Sequence, residues 1–200
     1  MLPTNFENEK KNDQPSQYTM TQFKNKSPHE IKFRVLTPWI SGKQVFGEKN
    51  GKPFPYRFRV GESIPVSCIG ENQDGEPNDV KGFLAAIVWN YDTKQIEIFC
   101  DEHTSIKDAI VELENDPDWG DVQQYDLKVG KTGKGMETRY KVTPSGMKPF
   151  VPREDFSMIE LDALFTGENP FKNYKRPTPV TAPVVSDPVD DFEAFTRRAT

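Results

Sequence analysis

Apolar and charged residues alternate with a period of two in three stretches that lie far apart in the chain. Ile31, Phe33 and Val35 are separated by Lys32 and Arg34. Tyr56, Phe58 and Val60 are separated by Arg57 and Arg59. Tyr125, Leu127 and Val129 are separated by Asp126 and Lys128. Such alternation marks a strand with one face buried and the other in water. The third stretch runs into a loop, Gly130-Lys131-Thr132-Gly133-Lys134-Gly135, and a returning run follows. There Met136, Thr138, Tyr140 and Val142 oppose Arg139 and Lys141, the pattern of a hairpin. Phe83 to Trp89 is a continuous apolar run, which predicts a strand covered on both faces. Asn90 to Lys94 turns the chain and Gln95 to Phe99 returns it as a second hairpin.

One stretch has helical spacing. Ile106, Ala109, Ile110 and Leu113 form an apolar face over Thr104 to Asn115, Thr104 or Ser105 can cap it, and Pro117 ends it. Phe156 to Phe165 predicts a second, shorter helix packing back on the body. Ser41 to Pro55 carries glycines and lysines and is expected as a loop. Five short strands with one helix between hairpins is the element order of a Greek-key barrel, the OB-fold. The fold class expected is therefore mainly β, with one or two short helices.

Composition assigns the ends. The 200 residues include 17 prolines, with 34% hydrophobic content and a mean hydropathy of −0.73. Such values point to one folded core with disordered tails. Residues 1–28 are expected as a flexible arm, 29–166 as the core, and 167–200 as a proline-rich linker with a mildly acidic tail. Two cysteines make no disulfide framework, which suggests a reducing compartment. No apolar run approaches the ~20 residues that span a bilayer. The N-terminus lacks an apolar signal region, so a cytoplasmic location away from membranes is expected.

Charge changes the picture most. The chain totals −5, yet residues 123–148 hold six Lys/Arg against two Asp/Glu, and residues 31–60 hold seven against one. By contrast, residues 101–122 hold eight acids and one lysine. If the three alternating strands adjoin, Lys32, Arg34, Arg57, Arg59, Lys128, Arg139 and Lys141 form one positive surface. Lys43, Trp39, Phe46, Trp89 and Tyr91 then lie in or beside the flanking loops. Cations for phosphates with rings for bases make up a site for single-stranded nucleic acid. A solvated face or a protected sheet edge explains any single such strand; the bias shared by three favours an anionic partner. Phe54, Tyr56 and Phe58 alternate with arginines and are expected in the core.

Other chemistry is weakly signalled. Gly130-Lys131-Thr132 has the end of a triphosphate loop but lacks its upstream glycine and its following helix. Cys100 and His103, with Cys68 and His29, are enough ligands for zinc, but there is no C-x-x-C pair, and no metal or other cofactor is expected. Two histidines signal no catalytic arrangement. A nuclease using Asp116 or Asp118 would need acids beside the basic groove, and the acids segregate from it. The chain is expected not to be an enzyme. RNA binding or recombination mediation on the same fold is the alternative.

The run A-A-I-V-W-N-Y-D-T-K-Q-I-E-I-F, then S-I-K-D-A-I-V-E-L, D-P-D-W-G-D, Y-D-L-K-V, a Gly/Lys turn and T-R-Y-K-V-T-P resembles the phage single-stranded-DNA-binding proteins, of which the T-even helix-destabilising protein is one. The resemblance covers roughly residues 80–146. It implies an OB-fold that coats exposed DNA during phage replication, recombination and repair in the host cytoplasm, with Lys128, Lys131, Lys134, Arg139 and Lys141 as contacts. It further implies a tail that recruits a polymerase, helicase or recombinase and competes with DNA. Here that tail would be Asp187, Asp190, Asp191, Phe192 and Glu193. The zinc of the T-even relative does not carry over, because its cysteine spacing is missing.

Overall fold

The computed structural model describes residues 17–21, 30–133, 135–147, 150 and 154–176. Seven strands form one antiparallel sheet: β1 (Glu30–Val35), β2 (Ile40–Lys49), β3 (Lys52–Arg59), β4 (Lys81–Asn90), β5 (Gln95–Asp101), β6 (Tyr125–Thr132) and β7 (Arg139–Met147). Helix α1 (Thr104–Asn115) lies between β5 and β6, and the single turn α2 (Ala163–Thr166) follows β7. The order is β3-β2-β4-β1-β6-β7, with β5 branching from β4. The sheet is open and has seven strands, so the expected five-stranded closed barrel is corrected in both count and closure.

Two features explain the difference. The first is a hairpin where a loop was expected. Asn50 and Gly51 both have positive φ, 55° and 72°, the geometry of a tight two-residue hairpin turn. Lys49 pairs with Lys52, and the register continues to Gly42 opposite Arg59. The second is the fork at β4. One edge pairs with β5 from Leu84 to Asn90; the other takes β2 opposite Lys81–Ala85 and then β1 opposite Val88–Asn90. The Thr37-Pro38-Trp39 break makes this exchange possible. Thr37 Oγ1 accepts the Ile87 amide at 3.1 Å, which satisfies a β4 donor where no strand lies alongside. The outermost strands β3 and β7 carry Pro53, Pro55 and Pro144, residues tolerated at sheet edges because nothing there needs their missing N–H.

A core lies on each side of β4, as its continuous apolar run predicts. On one side Ile31, Phe33, Val35, Ala86, Val88, Phe99, Leu127 and Val129 pack under Ile106 and Ile110 of α1. On the other side Phe83, Ala85, Ile87, Ile96 and Ile98 pack under Ile159, Leu164 and Phe171. Each Val, Leu, Ile or Phe among them, fully buried, contributes ~1.5–3 kcal/mol. Helix α1 has the expected span, but His103 occupies the N-cap position and makes no side-chain cap bond.

The folded body extends beyond both expected boundaries. Gln17 and Thr19 hydrogen-bond the backbone of Ile98 and so occupy the free edge of β5. Met20 is buried against the helix-side core. Of the segment Phe156–Phe165, only Ala163–Thr166 is helical, closed by Gly167 in the left-handed region. Residues 167–176, expected as linker, pack on the sheet: Phe171 is 4% exposed, and Tyr174 donates to Glu154 at 2.9 Å. Among the described residues no helix is long and apolar enough to cross a membrane.

Candidate nucleic-acid interface

Strand register decides which cations share a side. Lys32 lies opposite Lys128, and Arg34 opposite both Asp126 and Trp89. Across the next pairing Lys128 faces Thr143, Gly130 faces Lys141 and Thr132 faces Arg139. With a period of two, Lys32, Arg34, Lys128, Arg139 and Lys141 therefore occupy the side of β1–β6–β7 turned away from α1. Asp126 and Glu30 are the two acids among them.

Asp126 is the hub of this side. Its buried carboxylate accepts Arg34 Nε at 2.7 Å and lies 2.7 Å from Arg34 Nη2 and 2.8 Å from Lys32 Nζ. It also accepts the Tyr91 hydroxyl at 2.8 Å. Burial first, and the bond to Asp126 second, push the Tyr91 phenol up to about 12, so it stays a donor at neutral pH. The Tyr91 amide bonds Lys32 O at 3.0 Å, which brings the turn after β4 over β1. Lys32 Nζ sits 4.7 Å from the Tyr91 ring centre. Phe150 lies over Arg34 at 5.5 Å and 6.0 Å from both the Trp89 and Tyr91 rings. The result is a patch of three rings with a lysine at its margin.

The cations differ in what they can reach. Arg34 is 3% exposed and spent on Asp126; it is an internal brace, not the phosphate contact expected from sequence. Lys128 pairs with Glu30 at 3.0 Å, the side chains being 36% and 52% exposed. A phosphate can replace Glu30 there, because an exposed pair of this kind is worth only ~0–1 kcal/mol. Arg139 and Lys141 are exposed, and Arg139 donates to the Thr138 carbonyl at 3.2 Å.

The arginines of β3 do not join this patch. Arg57 donates to Gln44 at 2.8 Å and lies over Phe83; Arg59 pairs with Asp162 at 2.9 Å and lies over Phe165. The 154–176 segment takes up Arg59 and covers the sheet there, so the continuous surface expected from three strands is divided. Trp39, expected as a stacking ring, is partly buried and packs against the helix-side core, 5.7 Å from Phe99. Lys43 is exposed and lies, by register with Phe58 and Gly82, on the side away from the patch. Phe54, Tyr56 and Phe58 are half-buried and belong to neither core cluster. Lys134 and the tail residues Asp187, Asp190, Asp191, Phe192 and Glu193 lie outside the described residues.

The other side of the β6–β7 hairpin borders a cleft of about 430 Å³. Phe46, Phe54, Arg57, His103, Lys131 and Tyr140 are among its lining residues, and Phe46 stands 40% exposed at it. Lys131 and Tyr140 are register partners, so the alternation that sends Lys141 outward sends these two to the cleft. Gly133 shapes the hairpin end: its φ is 77°, and a Cβ there would lie 2.3 Å from the Glu137 carbonyl oxygen. The His103 ring lies 4.5 Å from that of Tyr140, tilted to it, and its Nδ1 is 2.9 and 3.1 Å from the Asp101 carboxylate oxygens. That bond raises the imidazole above its ordinary value, against the opposing effect of burial. The pair thus supports the fold fully below the unfolded imidazole's pKa and loses this as pH rises through the raised folded value. Glu102 accepts Gln44 at 2.7 Å and Lys81 at 3.4 Å.

Among the described residues, no three His, Cys, Asp or Glu side chains are arranged to hold a metal ion. His29 is outside them, and Cys68 lies on the turn 66–68. Asp116 accepts the Asp118 amide at 2.8 Å within a turn. Comparison with family models, with curated proteins and with solved structures finds no match.

Sequence reasoning missed Asp126 as a hub and the cleft altogether. The signal for Asp126 was its being one of two acids inside the basic stretch 123–148. For the cleft there was none, because its lining comes from six separate elements and the segment 18–21.

Proposed function

We propose that this chain is a non-catalytic, single-stranded-DNA-binding protein. It coats exposed strands in phage replication, recombination and repair, largely without regard to sequence. The observation that carries this is the side of β1–β6–β7 where five cations stand against two carboxylates beside Trp89, Tyr91 and Phe150. Lys32, Lys128, Arg139 and Lys141 would take phosphates, and the rings would take bases by stacking, at ~1–3 kcal/mol per base whatever its identity. Helix α1, which carries acids of the stretch 101–122, covers the opposite side and so does not repel a strand on this patch, whereas Asp101 and Glu102 line the cleft.

The order β4, β5, α1, β6, β7 keeps the hairpin–helix–hairpin sequence of an OB-fold, here on an open sheet. The cleft beyond the β6–β7 hairpin extends the same recipe with Phe46, Tyr140 and Lys131. Residues 187–193, if they serve as an acidic tail, would recruit a polymerase, helicase or recombinase.

The test is competition. A labelled oligo(dT) should be displaced by unlabelled single-stranded DNA of any base composition at about equal concentrations. Duplex DNA should need at least about tenfold more, since its bases are not available to stack. A matched RNA strand that displaces the label better than DNA would move the assignment to RNA binding.

A further inference from the structure

We propose that His103 is a titrating contact of the bound strand: a strand crossing the β6–β7 hairpin enters the cleft beside Tyr140 and meets His103, so that affinity for DNA rises as pH falls. The inference deepens the strand-binding reading and rests on it.

The geometry comes first. Lys141 and Arg139 lie on one side of the β6–β7 hairpin and Lys131 and Tyr140 on the other. A strand that leaves the outer patch over the hairpin arrives at the cleft. There the Tyr140 ring already lies 4.5 Å from the His103 imidazole, tilted 51° to it. The His103 side chain is 45% exposed, so a ligand can reach it. Its Nδ1 is engaged by Asp101, which leaves Nε2 as the atom able to meet the strand. With Nδ1 protonated toward Asp101, neutral His103 offers Nε2 as an acceptor only. When protonated it offers Nε2–H as a charged donor, the polarity a phosphate needs.

The groups around His103 bear on its titration. Asp101 and Glu102 from the end of β5 favour the imidazolium, and Lys81 from β4, paired with Glu102, opposes it. Tyr140 of β7 meets the ring face. Lys131 of β6, Arg57 of β3, and Tyr18, Cys100 and Glu168 line the same cleft. From α1, Thr104 and Ser105 stand at a shallower hollow beside His103, and Lys107 is directed to the Gly82 carbonyl at 2.8 Å. The balance at the ring is set by Asp101, whose buried carboxylate bonds both the His103 amide and the ring. The bond to Asp101 therefore holds the imidazole above its ordinary value. Linkage fixes the sign. A phosphate favours the protonated ring, so affinity climbs as pH falls through the window between bound and free pKa values. It levels off below the free one.

The experiment is an oligo(dT) titration at fixed ionic strength between about pH 5.5 and about pH 8.5, with the wild-type chain and His103→Gln. Wild-type affinity should rise roughly three- to tenfold from the alkaline to the acid end, a bound-state shift of up to about one pH unit. The His103→Gln profile should be flat. A variant that keeps the wild-type slope, or a wild-type chain that binds with no slope, overturns the proposal while leaving strand binding intact. A wild-type chain that does not bind at all overturns both. A second measurement needs no variant. The chain has two histidines, and an NMR titration of their ring protons should show the His103 midpoint moving to higher pH when oligo(dT) is added. An unmoved midpoint overturns the proposal.

Discussion

Lys128→Glu combined with Arg139→Glu should weaken oligo(dT) binding at least about tenfold and leave the melting temperature nearly unchanged. Both side chains lie on the proposed strand-binding side of β6–β7, and neither anchors the fold. Among the described residues Lys128 pairs with Glu30, both partners being substantially exposed, so removing the pair costs little. Arg139 is exposed and bonds only its neighbour's carbonyl among the described residues. Changes at such positions usually alter stability by ~0.5 kcal/mol or less. For the strand, two phosphate contacts become repulsions. Each lost contact lowers the salt slope for a single strand by ~0.7, so the double variant should be flatter by about 1.4. Fluorescence titrations at several salt concentrations check both numbers. An unchanged affinity with an unchanged slope would remove this side of the sheet from the interface.

Arg34→Met should destabilise the protein by about 3–5 kcal/mol, the usual cost of stripping a partner from a buried charge pair. Asp126 is buried and its carboxylate is held by Arg34, Lys32 and Tyr91 together. Without Arg34 it keeps only a half-exposed lysine and a phenol. Asp126→Asn should do comparable harm from the other direction, because Arg34 is 3% exposed beneath Phe150 and its charge would lose this buried counter-charge. The double change Arg34→Met with Asp126→Leu should recover much of the loss, since apolar groups of similar volume replace a buried pair at little net cost. Urea unfolding of the wild-type chain, Arg34→Met, Asp126→Leu and the double variant gives the coupling directly. Additive losses would mean that the two residues act separately and that the hub is not one unit.

These two expectations separate what the sequence discloses from what it hides. Helix α1 was legible because Ile106, Ala109, Ile110 and Leu113 repeat at helical spacing and Pro117 stops them. Strand β4 was legible because an apolar run of that length must be covered on both faces. Strand β2 was not, because Gly42 and Gly47 and the polar residues between them look like a loop. Its one clear signal was the Asn50-Gly51 turn. Glycine at 42 has a packing reason: a Cβ there would lie 2.4 Å from the Phe58 carbonyl oxygen. The linker boundary went wrong because prolines outvoted Phe171 and Tyr174, whose burial depends on a sheet face built from residues 83–98.

Charge was legible in sign and not in pairing. Alternation correctly put Lys32 and Arg34 opposite the apolar face of β1. It gave no hint that Asp126, 92 residues away from Arg34, would take up both. Nor does local pattern show that Asp162 reaches Arg59, or that the jog at Pro38 turns Trp39 into the core. Pairing over such separations follows from register, and register follows from the whole sheet.

The measurement that bears most directly on the central claim is a salt-titrated binding curve of oligo(dT), followed by tryptophan fluorescence. Trp89 is the tryptophan of the patch, with Trp39 and Trp119 packed against the helix-side core, so binding should quench its emission. The logarithm of the binding constant should fall linearly with the logarithm of salt concentration. Its slope should be about −2 to −3, corresponding to roughly four phosphates on Lys32, Lys128, Arg139 and Lys141. Absence of quenching and of binding at low salt, or binding indifferent to salt, would contradict the account.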